Sequence, residues 1–235
     1  MIVRSAFVTL ALALVGAGAG AAAPADPKLD TMAQRLQACT ACHGKEGRAT
    51  PEGYFPRIAG KPAGYLYNQL LNFRDGRRRN ATMTYFVEHL SDDYLREIAA
   101  YFASLDLPYA PPAVSQAAAQ PIEQGRRLVH EGDAARGIPA CVKCHGASMT
   151  GLSPSMPGLL GLPHAYLVGQ LGAWRDGQRR AVEPDCMGEI ARKLSAQEVN
   201  AVAVWLASQP VPADAKAPPL PAGTKLPLEC GSGGR

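Results

Sequence analysis

Two short stretches of the chain have residue types and spacing suited to cofactor chemistry: Cys39-Thr40-Ala41-Cys42-His43 and Cys141-Val142-Lys143-Cys144-His145. Both read C-x-x-C-H, the attachment signature of a c-type haem. Cysteines three positions apart lie on nearly the same side of a helical turn, so each pair can form thioethers to the two vinyl groups of one porphyrin. The histidine after the second cysteine then stands under the iron as its proximal ligand. A bare C-x-x-C also serves zinc sites and thioredoxin-like redox pairs. Two copies, each followed by His-Gly at matching places in a repeat, point instead to two covalently bound haem c groups. Cys39, Cys42, Cys141 and Cys144 are the attachment residues, and His43 and His145 the first iron ligands.

The elements that must position these motifs recur along the chain. Pro56-Arg57-Ile58-Ala59-Gly60-Lys61-Pro62 meets Pro157-Gly158-Leu159-Leu160-Gly161-Leu162-Pro163 at an offset of 101, and Phe73-Arg74-Asp75-Gly76 meets Trp174-Arg175-Asp176-Gly177 at the same offset. The offset becomes 104 at Leu90-Ser91 against Leu194-Ser195, which asks for three extra residues in the second copy. Self-similarity at this period means duplication into two domains. Each copy reads as helix, haem motif, loop, helix, loop, helix, so the fold class is all-α. The first helix is expected over about Asp30–Cys42 and, in copy two, over about Ile122–Glu131. The middle helices are expected over Ala63–Arg74 and His164–Arg175, with Tyr65, Leu66, Gln69, Leu70 and Phe73 on one face. The last helices begin at N-caps Ser91 and Ser195. Ser195 and Glu198 form a capping box, and Leu194 with Val199 a hydrophobic staple.

The chain has 235 residues, 47% hydrophobic and 6% aromatic, enough for one large or two small domains. Residues 1–23 carry Arg4, an apolar run from Ala6 to Val15 and small residues at the end, the pattern of a secretory signal peptide. Export to the periplasm fits, because covalent haem and persistent disulfides both belong to an oxidising compartment. The formal charge is +4, or +3 once Arg4 is removed with the leader, so nothing favours nucleic acid as a partner. Residues 27–107 and 122–209 are read as the two domains, 108–121 as a Pro-rich linker and 210–235 as an irregular Pro-rich tail.

A C-x-x-C-H motif leaves the sixth iron position open. Met83 lies seven residues before Leu90 and Met187 seven before Leu194, so the two are equivalent in the repeat. Both are expected in a polar, irregular loop from which a thioether reaches the metal, and Met83 and Met187 are read as the distal ligands. Met149 and Met156 have no counterpart in copy one, and His89, His130 and His164 recur nowhere. Saturated His/Met ligation suits electron transfer without substrate turnover.

On these residues the chain resembles the dihaem cytochrome c4 family over nearly all of its mature length. The stretch from Gly132 to Cys141, the Pro56–Gly60 block, the helix with Tyr65 and Gln69 and the Leu-Ser-Asp start at Leu90 are similar to the family's pattern. The resemblance implies two tandem class I cytochrome c domains related by pseudo-twofold symmetry. It implies a periplasmic electron carrier, not an enzyme, that exchanges single electrons with redox proteins: a terminal oxidase, a quinol–cytochrome c reductase or a periplasmic dehydrogenase. Peripheral association with the membrane is compatible with that role. The class I resemblance also suggests that the carbonyls of Pro56 and Pro157 hold the Nδ1 protons of His43 and His145. Tyr65, Gln69 and Arg74, with Tyr166, Gln170 and Arg175, either contact haem edges or propionates or simply pack their helices.

Cys186 and Cys230 belong to neither motif. In an oxidising compartment they are expected to pair and tie the tail beside the second distal loop. The alternative makes Cys186, next to Met187, a haem ligand in a dihaem oxidoreductase of the thiosulfate-oxidising type. A redox sensor, or a subunit docked permanently on a dehydrogenase, is a third class. Arg77-Arg78-Arg79 and its echo Arg179-Arg180 read as solvated loops in preference to docking patches.

Overall fold

The computed structural model describes residues 30–50, 53–112 and 118–233; the expected leader over residues 1–23 lies outside these. The first half contains α1 (Met32–Arg35), α2 (Gln37–His43), α3 (Ala63–Arg74), α4 (Ala81–Val87) and α5 (Asp92–Ser104). The second contains α6 (Ala119–His130), α7 (Val142–His145), α8 (His164–Arg175), α9 (Cys186–Lys193) and α10 (Ala196–Ser208). A two-residue antiparallel pair, β1 (Gly151–Leu152) and β2 (Met156–Pro157), interrupts the otherwise helical chain. Each half has its own apolar core, one built around Leu36, Leu95, Ile98 and Phe102, the other around Val129, Leu167, Val202 and Leu206.

The middle helices α3 and α8 occupy the expected spans. Each begins after a proline, Pro62 or Pro163, whose fixed φ of −53° or −62° leads the chain into the helix. The last helices start at the expected caps: the Ser91 hydroxyl accepts from the Tyr94 N–H and that of Ser195 from the Glu198 N–H. Glu198 returns a bond from the Ser195 N–H at 2.8 Å, which completes the capping box. Leu95, Leu194 and Val199 are buried, as the staples require. Helices α6 and α10 cross closely at Gly125, where a Cβ would overlap the Ala201 carbonyl and the Trp205 side chain.

Four elements depart from expectation. The first helix is broken at Leu36 (φ −95°, ψ 12°), a bend that turns this leucine, 2% exposed, into the core while Thr31 caps α1 with a capping box of its own. Helix α6 starts at Ala119, ahead of Ile122, because Pro121 falls in the first turn, where no N–H is needed. Met83 and Met187 lie in the short helices α4 and α9, not in irregular loops. The Asn80 side chain accepts from the Met83 N–H at 3.0 Å and that of Asp185 from the Gly188 N–H at 3.0 Å, capping both.

The halves join across their middle. Arg78 and Arg179, 101 residues apart, form an antiparallel bridge flanked by bonds from the Arg79 N–H to the Gln178 carbonyl (2.8 Å) and from the Arg180 N–H to the Arg77 carbonyl (2.7 Å). The repeat offset and the antiparallel pairing together describe an approximate twofold axis through this bridge. The tail is irregular but pinned. The Ser153 N–H donates to the Pro218 carbonyl, the Ser155 hydroxyl donates to the Gly233 carbonyl (2.7 Å), and Asn68 of α3 donates to the Ser232 carbonyl (3.1 Å). Cys186 and Cys230 form a disulfide with Cα atoms 5.4 Å apart.

Candidate haem sites

His43 closes α2 and His145 closes α7, and both rings are buried. His43 Nδ1 lies 2.9 Å from the Pro56 carbonyl oxygen and His145 Nδ1 lies 2.7 Å from that of Pro157. A carbonyl only accepts, so Nδ1 carries the proton and Nε2 keeps its lone pair for a metal. Burial lowers the pKa of both imidazoles against the opposing effect of the carbonyl bond, with Arg78 adding to it at His43 and Lys61 at His145. The glycine after each histidine is required by geometry. Gly44 and Gly146 have φ of +76° and +81°, and at Gly44 a Cβ would overlap the Ala49 carbonyl.

Cys39, Cys42, Cys141 and Cys144 are half-buried, each pair on one turn with its histidine. Burial pushes the Cys141 thiol up to about 11 and also raises Cys39 and Cys144. A catalytic dithiol needs a lowered pKa. The shifts at Cys39, Cys141 and Cys144 run the other way.

Met83 borders the first core together with Cys39, and Met187 is half-buried next to Cys186. The three extra residues of the second copy fall between Arg180 and Met187, in the segment that receives the tail: the Gly231 N–H donates to the Pro184 carbonyl at 3.0 Å. Of the competing residues, Met149 is 2% exposed in the second core, His89 is exposed, His164 contacts Asn200 and His130 meets the edge of Trp205.

Sequence reasoning missed the polar centre between the halves. The Arg78 guanidinium donates to Gln69 (3.0 Å), Gln170 (2.6 Å) and the Tyr166 hydroxyl (3.1 Å). That of Arg179 donates to Gln170 (2.7 Å), Gln69 (3.0 Å) and the Tyr65 hydroxyl (3.4 Å). These arginines are therefore not solvated loops: Arg179 is 5% exposed. Among the described residues no carboxylate pairs with either. Arg179 also stacks 3.7 Å over the Trp174 ring, whose buried Nε1–H has no partner among the described residues. Two facing cations and an unmet donor fit a group that brings its own carboxylates, as haem does with its propionates. The signal that could have revealed this is the register: Arg78 and Arg179 keep the offset of 101 shown by Gln69 and Gln170. Arg74, by contrast, ties α3 to α5 through Asp92 at 2.7 Å.

The disulfide removes the Cys186 thiol from metal chemistry, so the alternative in which Cys186 ligates the second haem loses its ligand.

No protein-family profile matches the chain. It is 39% identical over 174 residues to the thiosulfate dehydrogenase electron acceptor of Thiomonas intermedia, covering 74% of this chain and 79% of that protein. It is 36% identical over 174 residues to cytochrome c4 of Pseudomonas aeruginosa, covering 73% and 84% respectively. Among solved structures, reduced recombinant cytochrome c4 from Pseudomonas stutzeri superposes with a TM-score of 0.65 at 30% identity, covering 75% of this chain and 95% of that one. Among the described residues no helix is long and apolar enough to cross a membrane.

Proposed function

The chain belongs to the cytochrome c4 family of dihaem electron carriers with two covalently bound haem c groups, and on that premise we propose how its residues divide the work. Cys39 and Cys42 attach the first haem and Cys141 and Cys144 the second. His43 with Met83, and His145 with Met187, would hold the two irons. Bound haem supplies a one-electron ferric–ferrous couple at each site. The observation that carries this reading is the matched pair of bonds from His43 to Pro56 and from His145 to Pro157, which present a neutral Nε2 twice in one chain. Such a bond fixes the ring and raises its basicity as a ligand. Arg78, Arg179 and Trp174 would meet the propionates, and the Tyr65–Gln69 and Tyr166–Gln170 pairs orient the two guanidiniums.

The chain works in the periplasm after losing residues 1–23, as two domains over 27–107 and 122–209 joined by the 108–121 linker, with 210–235 as the tail. It turns over no substrate of its own. A thiosulfate-oxidising dehydrogenase is the donor that the Thiomonas relative's name supports, and a terminal oxidase is the expected acceptor. Docking is transient and steered by charge, so it weakens with salt. The test is stopped-flow reduction of the ferric protein by a thiosulfate dehydrogenase supplied with thiosulfate. Rapid reduction that slows with ionic strength is expected. Failure to reduce removes this donor, and turnover of thiosulfate by the carrier alone with an artificial acceptor removes the non-enzyme reading.

A further inference from the structure

Lys61 stands where the repeat places a leucine, Leu162, and its side chain leaves the first half altogether. It is 5% exposed, and its Nζ donates to the Gly158 carbonyl, 97 residues away, at 3.0 Å. Gly158 directly follows Pro157, whose carbonyl holds the His145 ring. The segment has no slack, because Gly158 packs so closely on Thr150 that a Cβ would strike its backbone. Among the described residues the reverse half has no such contact. The counterpart of Gly158 is Arg57, and its guanidinium turns to the Ala59, Leu107 and Pro108 carbonyls and stacks 3.8 Å over Tyr109. The exchange across the approximate twofold is therefore one-sided.

The groups facing Lys61 leave its charge uncompensated. Arg57 is a second cation from the same segment, the Tyr109 ring centroid of the linker is 6.0 Å from Nζ, and His145, on which the Lys61 charge acts, is bonded to the Pro157 carbonyl one residue before Gly158. Among the described residues no carboxylate pairs with Lys61. A buried cation favours the less positive member of a nearby redox couple, and a low-dielectric surrounding enlarges that preference.

We propose that Lys61 is a positioning and potential-setting residue: the first domain delivers its buried ammonium to the segment holding His145, which raises the reduction potential of the second haem and makes the two haems inequivalent. The inference rests on His145 as an iron ligand. Burial, and then Arg57, pull the Lys61 pKa down to about 8. The charge is thus present at neutral pH and lost to solvent as pH rises through that value, and the potential of the second haem falls with it.

The test is a redox titration of the full holoprotein followed by NMR, with the second haem assigned through the protons of its attachment residues Cys141 and Cys144. Lys61→Met is expected to lower the reduction equilibrium constant of the second haem about tenfold, about 59 mV for one electron, while the first haem stays put. The same variant should abolish the fall in potential near pH 8. Lys61→Arg, which keeps the charge, should restore most of the potential. Equal shifts in both variants would mean packing alone and overturn the proposal, as would an unmoved second haem in Lys61→Met. The ferric spectrum reports axial ligation separately. If it stays low-spin and His-ligated at the second haem while the potential does not move, Lys61 is excluded and the ligand assignment stands. If it shows that His145 is not bound, both readings fall together.

Discussion

Arg78 and Arg179 face each other across the two halves of the chain, and each guanidinium reaches the glutamine of both repeats, Gln69 and Gln170. Burial, and then the charge of Arg78, pull the Arg179 pKa down, so the pair resists coming together unless an anion joins it. This bridge is the point at which the duplicated sequence becomes one molecule.

Replacing Arg179 with Met should leave the Tyr65 hydroxyl without its donor, while Gln69 and Gln170 keep only their bonds from Arg78. Each buried polar group left unmet costs about 1–3 kcal/mol. In a domain pair of this size that corresponds to a fall in Tm of about 2–4 °C per kcal/mol. Thermal unfolding of the holoprotein checks it, and a Tm equal to that of the unaltered chain would show that the bridge is not structural.

The distal assignments separate by single substitutions. Met83→Ala and Met187→Ala should each remove half of the weak red-edge band of the ferric spectrum, and the double variant all of it. A single variant that keeps the full band would strike its methionine from the ligand set.

Removal of the disulfide is expected to loosen the tail and to cost stability. Cys186 and Cys230 are 44 residues apart, and a loop of that size constrains the unfolded chain by up to about 4 kcal/mol in the chain-entropy description. A Cys186→Ser/Cys230→Ser double variant should have a lower Tm and be cut more readily by proteases between Pro218 and Cys230. Mass analysis with and without reductant tests the pairing itself. A free thiol in the unaltered oxidised protein would contradict it.

Acid stability should depend on Glu198. Its carboxylate is held below the usual pKa of 4.5 by the Arg136 guanidinium, with the Ser195 N–H and hydroxyl adding to that, against the opposing effect of burial. A depressed carboxyl pKa means that the unfolded chain binds the proton more readily, so this contribution is full above pH 4.5 and is lost as pH falls through the lower folded value. Glu198→Gln should flatten the acid limb of the stability profile and cost about 1–3 kcal/mol at neutral pH. Denaturant titrations across that range measure both. An unchanged acid limb would rule the residue out.

Elements defined by local chemistry were legible without coordinates. The proline entries to α3 and α8 and the Ser91 and Ser195 caps act within a few residues of themselves, so spacing along the chain was enough to place them. The break at Leu36 was not legible, because a leucine at helical spacing continues a stripe on paper and only the core decides that the chain must bend to admit it. The helices around Met83 and Met187 escaped for another reason: each is short, and their caps, Asn80 and Asp185, do not sit at equivalent positions in the repeat.

By itself the sequence determined the two attachment motifs, the duplication and the cysteine left over in each of two distant places, because covalent chemistry and periodicity are properties of order along a chain. Only the tertiary structure decided that Arg78, half-buried, and Arg179, buried, turn to shared partners between the halves, that Cys186 meets Cys230, and that Lys61 serves the opposite half. These relationships join residues from 44 to 101 positions apart. Their chemistry depends on burial and on the partner's direction, which exist only once the two halves have packed.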